Sequence, residues 1–336
     1  MDKKGKKSWI VRALALLLII PLSAALLFAV LMYAVPALET VDASPVEGSA
    51  DWMGRLPDSM PLSEVVLPCT HDSATQYVQL AFFAKCQDLS VGEQLEAGFR
   101  CLDIRLGADG DRLKLMHGFT SCTEGGWPWS RTLYLDSVLD ECVSFLKAHP
   151  NETVVFSVKM EHGDETVTRF QELLGSYIQR DADMWLLTSK VPTVGEARGK
   201  LVLLRRFPDE AGLGADSGLS FMWFSQSGHG DVSLNTVSSE NGSFTLWVQD
   251  RYEYGLEDKW SAFLAGMESA KPGGDAIALN FLSTKGVSKY GHPYKYASKL
   301  DPRLLEIPAG SLSGWIFVDF ASPKLAEKIY SANFER

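Results

Sequence analysis

The sequence lacks the features that mark several common enzyme classes. Its 336 residues include only five cysteines, and no two of them have the close spacing of a zinc site. No glycine-rich phosphate loop follows an apolar run, and there is no G-x-S-x-G turn, so neither a dinucleotide-binding fold nor that type of acyl-transfer enzyme is indicated. There is no low-complexity tract either, and with 46% hydrophobic residues the chain can bury a large core.

The N-terminal part contains a long apolar run. The opening stretch "MDKKGKKSWIVR" has five basic side chains, and the 26 residues from Ala13 to Leu38 contain no charge. The apolar region of a signal peptide spans ~7–15 residues, whereas a membrane-spanning helix needs ~20. The length favours a membrane anchor, and secretion after cleavage near "VDASP" is the alternative. Either way the basic flank stays inside and the chain after Leu38 is extracytoplasmic.

These features divide the chain into four parts: a basic cytoplasmic flank (1–12), a transmembrane anchor or signal segment (13–38), a linker (39–54) and one catalytic domain (55–336). The part after Leu38 has 27 Lys and Arg against 41 Asp and Glu, a net charge of −14. So acidic a surface excludes nucleic acid as a partner and repels anionic lipid. Contact with a membrane surface therefore requires apolar groups.

The cysteines give weaker signals. An extracytoplasmic disulfide is permitted, and Cys86 with Cys122, both in polar surroundings, is the pair we favour. Cys142 shares a helical face with apolar residues and is predicted to be a buried free thiol. Cys69 lies in an apolar run and is interpreted as a small core residue rather than a nucleophile.

Short apolar runs alternate with amphipathic stretches through the rest of the chain. Helices are predicted near 132–148, 164–179, 256–270 and 323–331. The predicted strands are "SEVVLPC", "RCLDIRL", "LKLMHG", "TVVFSVK", "KLVLLRRF", "SFTLWVQ", "DAIALNF" and "GWIFVDF". This alternation, with eight strands, predicts an α/β fold of the TIM (β/α)8-barrel type in a single domain. A doubly wound open sheet is the alternative.

Ionisable residues follow most of these strands. In an α/β barrel the carboxyl ends of the strands form one rim, where active sites lie. Any one such residue is more often an ordinary strand end, but several histidines, carboxylates and cations meeting at one rim indicate a functional site. The residues are His71, Asp72, Arg105, His117, Lys159, Arg206, Asp250, Tyr252 and Asp319.

This mixture of side chains is suited to phosphoryl chemistry. His71 and His117 can act as a general base and a general acid, because the histidine pKa lies near neutrality. Arg105 and Lys159 offer positive charge to phosphoryl oxygens, a role that otherwise falls to a metal ion.

The segments "LPCTHDSAT", "CLDIRL", "MHG", "HPNETVVFSVKME", "GKLVLLRRF", "WVQDRY" and "GWIFVDF", in this order and spacing, resemble the bacterial phosphatidylinositol-specific phospholipase C family of the X-domain type. The resemblance covers about residues 55–335. It implies a distorted barrel that cleaves phosphatidylinositol, or a glycosylated inositol lipid, to diacylglycerol and inositol 1,2-cyclic phosphate.

The resemblance also implies roles for the rim residues. His71 would be the general base on the inositol 2-hydroxyl, with Asp319 orienting it, and His117 would protonate the leaving oxygen. Asp72 and Arg105 would polarise the phosphate and assist the leaving group. The positions expected to bind inositol are Lys159, Arg206, Asp250 and Tyr252.

No cofactor is expected, and activity is expected to be independent of calcium. Arg105 stands where the eukaryotic relatives have a calcium-ligating aspartate, and Lys159 replaces an acidic ligand. The chain departs from the bacterial pattern in two ways. Cys69 replaces a glycine before the Thr-His pair, and an apparent membrane anchor is present although the bacterial relatives are mostly secreted free.

Two other functions remain open at this point. One is a non-catalytic X-type barrel that binds inositol-lipid headgroups or glycans, against which the presence of both histidines counts. The other is a metal-dependent glycerophosphodiester phosphodiesterase, which would normally need a glutamate-rich metal site. No protein partner is implied.

Aromatic segments near the rim suggest how an acidic enzyme reaches a lipid surface. "QYVQLAFFA" and "SKYGHPYKYA" supply rings that could settle at the headgroup level of a bilayer. The alternative is that the phenylalanines are helix core and the tyrosines cover the barrel. The residues are Tyr77, Phe82, Phe83, Tyr290, Tyr294 and Tyr296.

Overall fold

The computed structural model describes residues 3–36, 40–126, 130–161, 165–210, 218–220, 235–238, 242–287 and 291–335. Its strands are β1 (Leu67–Thr70), β2 (Cys101–Asp109), β3 (Arg112–His117), β4 (Thr120–Ser121), β5 (Val154–Met160), β6 (Trp185–Leu186), β7 (Leu201–Arg206), β8 (Leu219–Ser220), β9 (Asn235–Ser238), β10 (Thr245–Gln249), β11 (Ala276–Phe281) and β12 (Trp315–Val318).

The helices are α1 (Lys3–Ala29), α2 (Ala81–Ala84), α3 (Val91–Glu96), α4 (Leu135–Ala148), α5 (Val167–Arg180), α6 (Val194–Ala197), α7 (Leu256–Ser269), α8 (Pro293–Glu306) and α9 (Pro323–Ser331). The four predicted helices correspond to α4, α5, α7 and α9. The sequence did not predict α8, because it contains Pro302 in its interior, which normally argues against a helix.

The sheet confirms the predicted α/β barrel class. Among the described residues, the strands pair in the order β6, β7, β5, β2, β1, β12, β11, β10, β9, and every pair from β6 to β10 is parallel. The run "LKLMHG" is a strand, β3, but it is not one of these parallel wall strands. It forms an antiparallel hairpin with the outer half of β2, in which Leu115 pairs with Leu106.

Alternation along the strands separates two cores. On β2, β5 and β7, one set of alternate residues, including Cys101, Val155 and Val202, belongs to a core shared with β1, β10, β11 and β12. The other set, including Ile104 and Phe156, packs with α4 and α5. Because successive side chains of a strand point to opposite faces, the polar residues that follow Cys101 at intervals of two face the same interior as the first core.

The N-terminal helix is long and apolar. It runs from Lys3 to Ala29 and continues through a π-helical turn, Val30–Ala34, and it is not ended by Pro21. Ser8–Ala34 is long and apolar enough to cross a membrane, and its most apolar window has no buried residues. A signal sequence at this position has the same properties, so the helix by itself does not decide between an anchor and a cleaved segment.

All five cysteines are buried and free, so the predicted Cys86–Cys122 disulfide is wrong. The polar neighbours of Cys86 in the sequence suggested a surface loop, but its own side chain points inward, 3.8 Å from the ring of His117. Cys122 packs into the core beneath the β2–β3 hairpin. Cys142 is a buried thiol, as predicted, and Cys69 lies in the core.

The segment Ser49–Arg55, most of which the sequence assigned to the linker, packs against the barrel. Trp52 and Met53 are almost fully buried. A buried ion pair joins Arg100 to Glu152, with Nε and Oε2 2.8 Å apart, and Arg100 also donates to the carbonyl of Ala50. Glu152 in turn accepts a hydrogen bond from the backbone N–H of Met53. This ion pair therefore fastens the N-terminal segment to the barrel.

We expect Glu152→Gln to destabilise the protein by about 3 kcal/mol, because it leaves the buried Arg100 charge without its partner. The midpoint of urea unfolding in detergent measures the loss. Glu327→Gln is the matched control, since Glu327 is exposed on α9 and should change the midpoint little. Equal midpoints for the two variants would contradict a structural role for the ion pair.

Candidate active site

Strand register places three cations in one layer of the barrel interior. Arg105 on β2 pairs with Lys159 on β5, and Lys159 pairs with Arg206 on β7. Asp103 lies two residues before Arg105 and so shares its face of the sheet, one layer deeper. The alternation of "CLDIRL" thus puts a carboxylate directly beneath a row of positive charge.

The pairing of β1 with β12 brings His71 to Asp319. Thr70 and Val318 are register partners at the ends of these strands, so the next residues of both lie side by side. The distance from His71 Nδ1 to Asp319 Oδ1 is 2.7 Å. Two residues that immediately follow this pair, Asp72 (φ 47°) and Phe320 (φ 49°), have left-handed backbone conformations. Such strain costs of order 1–3 kcal/mol and is typical of functional sites.

The hydrogen bonds of His71 define its protonation state. Arg105 Nη2 lies 2.8 Å from Nε2, and a guanidinium can only donate, so Nε2 must be the acceptor. The remaining ring proton is then on Nδ1, where it is donated to Asp319. Burial alone would lower the pKa of His71, but the carboxylate of Asp319 outweighs it, and the pKa lies above its usual value of 6.5. The ring is a neutral base with an unusually high proton affinity.

Arg105 uses its whole guanidinium group. Besides Nη2 on His71, both Nε (3.1 Å) and Nη2 (2.9 Å) donate to Asp103 Oδ2. Nη1 lies 3.1 Å from Asp72 Oδ2 and 3.4 Å from Glu161 Oε1. Three carboxylates and a histidine therefore surround one cation.

His117 reaches the site through the hairpin rather than through a wall strand. β2 extends beyond the parallel sheet, turns, and β3 brings His117 back, so that the two histidine ring centroids are 6.3 Å apart. Nδ1 of His117 donates to the carbonyl of Ala84 at 2.8 Å and lies 3.2 Å from Asp72 Oδ2. For Nε2 no polar partner is found within the described part of the chain.

Asp72 is buried between His117 and Arg105. Burial raises the pKa of this carboxyl above its usual range, against the opposing effect of Arg105. Neither contact of Oδ2 has the geometry of a full hydrogen bond, although the atom is buried. An under-satisfied carboxylate of this kind keeps its ability to accept a stronger hydrogen bond when the neighbouring groups move.

Asp103 lies beneath the layer of Arg105, Lys159 and Arg206. It accepts hydrogen bonds from Arg105, from Arg206 Nη1 at 3.1 Å and from the backbone N–H of Asp72 at 3.2 Å. Although burial acts to raise its pKa, the two guanidinium groups hold the pKa of Asp103 well below its usual range. Arg206 is itself buried, and among the described residues it does not line the cavity described next.

A cavity of about 400 Å³ opens above this layer. Lys159 Nζ lies 2.7 Å from Glu161 Oε1 inside it, and burial together with Arg105 lowers the pKa of Lys159. Two lining residues, Phe83 and Lys285, are exposed, and together with the partly exposed Gly118 we call them the mouth of the cavity. The cavity lining also includes His71, Cys86, Arg105, His117, Asp250, Tyr252, Ser283, Thr284, Pro293 and Asp319.

Of the nine predicted site residues, seven line this cavity and two, Asp72 and Arg206, lie buried just beneath it. The structure thus brings the set together, and the individual roles stay predictions. Sequence reasoning missed Asp103, Glu161 and Lys285. Asp103 and Glu161 stand two residues from Arg105 and Lys159, so strand alternation was a usable signal for both, whereas Lys285 follows no strand end directly.

The described residues among the predicted interfacial aromatics differ in exposure. Tyr77 and Phe83 are exposed, whereas Tyr296 is buried against Gly286, a glycine with φ 74° whose position has no room for a Cβ atom, so Tyr296 is core. The other two described rings are partly buried, Phe82 against His292 and Tyr294 against Phe320. Tyr290 lies outside the described residues.

Within the described ranges, two groups of side chains have the spacing of possible metal ligands. They are His71, Cys86 and Asp319, and Asp72, Cys86 and His117, and both use the same thiol. Burial raises the pKa of Cys86 well above its usual range, which disfavours the thiolate that binds metals. Calcium prefers six to eight oxygen ligands, whereas the carboxylates of these groups are already engaged, Asp72 beside Arg105 and Asp319 with His71. The donor set does not fit calcium.

Comparison with known proteins identifies relatives of this chain. Residues 59–207 match the family "Phosphatidylinositol-specific phospholipase C, X domain". A 1-phosphatidylinositol phosphodiesterase of Staphylococcus aureus is 30% identical over 290 residues, 81% of this chain and 88% of its own length. The Listeria monocytogenes enzyme of the same name is 31% identical over 176 residues, 48% of this chain and half of its own.

The fold agrees. A solved structure of the Staphylococcus aureus phospholipase, an F249X mutant, superposes with a TM-score of 0.71 at 27% identity and covers 85% of this chain and 98% of its own. The Listeria monocytogenes structure, at 22% identity and a TM-score of 0.64, covers 85% and 98% and supports the fold alone. The sequence similarity and the shared fold show that this chain, with its cavity and paired histidines, belongs to the phosphatidylinositol-specific phospholipase C family.

Proposed function

We propose that this protein cleaves phosphatidylinositol, or a glycosylated inositol lipid, to diacylglycerol and inositol 1,2-cyclic phosphate without a metal ion, and that helix α1 is retained as a membrane anchor. The observation on which the catalytic proposal depends is the pair of histidines across one cavity. His71 is a neutral base held by Asp319, and His117 has its Nδ1 proton committed to a backbone carbonyl.

The first half of the reaction uses His71. The inositol 2-hydroxyl takes the place of Arg105 at Nε2 and gives its proton to that atom while its oxygen attacks the phosphorus. Asp319 stabilises the imidazolium that forms, which is why the raised pKa of His71 suits a base. Arg105, released from Nε2, can turn Nη2 toward the phosphate, where its charge offsets the charge that develops on oxygen.

The second half uses His117. The bond from phosphorus to the diacylglycerol oxygen breaks, and that oxygen needs a proton, which Nε2 of a protonated His117 can donate. Asp72, 3.2 Å from Nδ1, stabilises the charged ring. Lys159, Asp250 and Tyr252 line the remaining cavity and offer a cation, a carboxylate and a ring face to the inositol hydroxyls. Arg206 contributes from beneath through Asp103.

Independence from metal follows from the charge pairing. Asp72, Asp103 and Glu161 are the carboxylates a cation would use, and each lies within 3.4 Å of the Arg105 guanidinium. A divalent ion would have to displace a permanent charge that is already bound. The same pairing disfavours a glycerophosphodiesterase of the metal-dependent kind, and the paired histidines would be unnecessary in a non-catalytic lipid-binding barrel.

We expect His71→Ala and His117→Ala each to lose about 10²–10⁴-fold in turnover, the usual contribution of acid–base catalysis. The double variant should be little worse than either single one. Phosphorus NMR of phosphatidylinositol mixed micelles follows the cyclic phosphate. His149→Ala is the control, since His149 pairs with Asp51 away from the cavity and should keep full activity. Near-normal turnover by either catalytic variant would refute the assignment.

Asp319→Asn should lower the pKa of His71, because it removes the carboxylate that raises it. The acid limb of the pH–rate profile reports deprotonation of the base, so it should move to lower pH as the maximal rate falls. The pairing with Asp319 raises the pKa of His71 in the folded protein above its unfolded value of about 6.5. This pairing therefore stabilises the fold fully below that unfolded pKa, and the stabilisation is lost as the pH rises through the folded pKa. The stability difference from the natural chain should therefore be largest at acidic pH. An unmoved acid limb would contradict the pairing.

Turnover of the natural chain should be unchanged by a chelator and by added calcium. Arg105→Asp should lower it about 10²-fold or more, since it removes the cation that stabilises the phosphate. Because this change places a fourth carboxylate beside Asp72, Asp103 and Glu161, millimolar calcium should partly restore the rate. Arg112→Asp, at an exposed position on β3, is the control for charge reversal. Calcium stimulation of the natural chain would contradict metal independence.

A further inference from the structure

The end of helix α1 is docked on the barrel. The π-helical turn Val30–Ala34 contacts α2, and Met32 is buried, whereas the most apolar window of the helix has no buried residues. Beyond the turn, the buried Lys85 lies 3.4 Å from the carbonyl of Pro36 and 2.8 Å from Asp88 Oδ1. Asp88 Oδ2 accepts a hydrogen bond from the backbone N–H of Val41 at 3.1 Å. The chain is thus held at Pro36 and at Val41, on both sides of the point where it leaves the helix, which we call the exit of α1.

The same short helix borders the catalytic cavity. Phe83 on α2 lines it, and the carbonyl of Ala84 holds His117 at 2.8 Å. A second cavity, of about 370 Å³, is lined by Ala81 of α2, by Lys85 directly after it, and by Tyr33 of the π-helical turn. The residues from Ala81 to Lys85 therefore line the catalytic cavity through Phe83 and contact the exit of α1 through Lys85.

Exposed apolar side chains surround the mouth. Phe83 is 44% exposed, Phe119 follows the lining residue Gly118 and is 77% exposed, and Val287, two residues after Lys285, is 61% exposed. In the described part of the chain outside α1 and its π turn, the large apolar side chains with comparable exposure are these three and Tyr77, Leu264 and Leu305. Apolar and aromatic residues of this kind settle at the headgroup level of a bilayer.

We infer that the docked exit of α1 holds the mouth against the membrane in which α1 is embedded, so that the enzyme takes its lipid in cis, from the leaflet to which it is attached. This inference rests on the proposed function. Attachment replaces diffusional encounter by a high effective concentration. It also offsets the repulsion between anionic lipid and an extracytoplasmic part with a net charge of −14. Docking of the exit sets the orientation, which a tether alone would not.

The test uses the full chain in phosphatidylcholine nanodiscs that contain isotope-labelled phosphatidylinositol, mixed with protein-free nanodiscs that contain the unlabelled lipid. Both faces of a nanodisc are accessible, so orientation does not bias the result. Mass spectrometry of the cyclic phosphates gives the two rates. We expect the labelled product to form at least about tenfold faster at early times, and the ratio to increase on dilution.

The contribution of docking is tested with Lys85→Met, which removes the contacts to Pro36 and Asp88 but leaves the anchor in place. The variant should lose the cis preference severalfold while its rate on mixed micelles stays unchanged. Lys147→Met, at an exposed position on α4, is the control for charge and should behave like the natural chain. An unchanged cis preference in Lys85→Met would overturn the docked orientation.

The outcomes separate this inference from the function on which it rests. Suppose the enzyme cleaves lipid in mixed micelles but cleaves the two nanodisc populations at equal rates, or does not cleave the lipid of the protein-bearing nanodiscs. Either result overturns cis action and leaves the phospholipase activity unaffected. If neither micelles nor nanodiscs yield any cyclic phosphate, the proposed function itself is overturned, and cis action with it.

Discussion

Arg105 places a permanent positive charge among Asp72, Asp103 and Glu161 and within hydrogen-bonding distance of His71. Desolvating so many ionised groups is costly, and the cost is offset only while each charge keeps its partners. Removing one member leaves an uncompensated charge in the barrel interior. The site is therefore held in one arrangement before substrate arrives, which is the state that electrostatic catalysis requires.

Backbone geometry serves the same arrangement. The left-handed conformations at Asp72 and Phe320 occur directly after His71 and Asp319, where the chain leaves β1 and β12. Gln87 stabilises this turn, since its side-chain amide donates to the carbonyls of His71 and Val318 and its oxygen accepts from Ala321. The strained backbone at Asp72 and Phe320 is thus held in place by hydrogen bonds from residues 81–88, the segment that contains α2, Cys86 and Gln87.

That segment connects the cavity to the N-terminal helix. Residues 81–88 contact the exit of α1 through Lys85 and Asp88, hold His117 through the carbonyl of Ala84, and support the end of β1 through Gln87. Through different residues, this segment therefore contacts both the exit of α1 and His117. The four-residue helix has no hydrophobic periodicity of its own, and its position depends entirely on what packs on either side.

The sequence by itself determined the α/β barrel class, the apolar N-terminal helix and the rim residues, because hydrophobic periodicity and polar strand ends are local patterns. It could not show that β3 is a hairpin strand or that Cys86 and Cys122 are apart, since pairing partners are chosen by the whole sheet. Strand register, which only the tertiary structure fixes, decided that Arg105, Lys159 and Arg206 form one layer above Asp103. The tertiary structure likewise decided the proton affinities of these groups: the Asp319 carboxylate, brought close by strand pairing, raises the pKa of His71 against the effect of burial, whereas burial itself raises the pKa of Asp72.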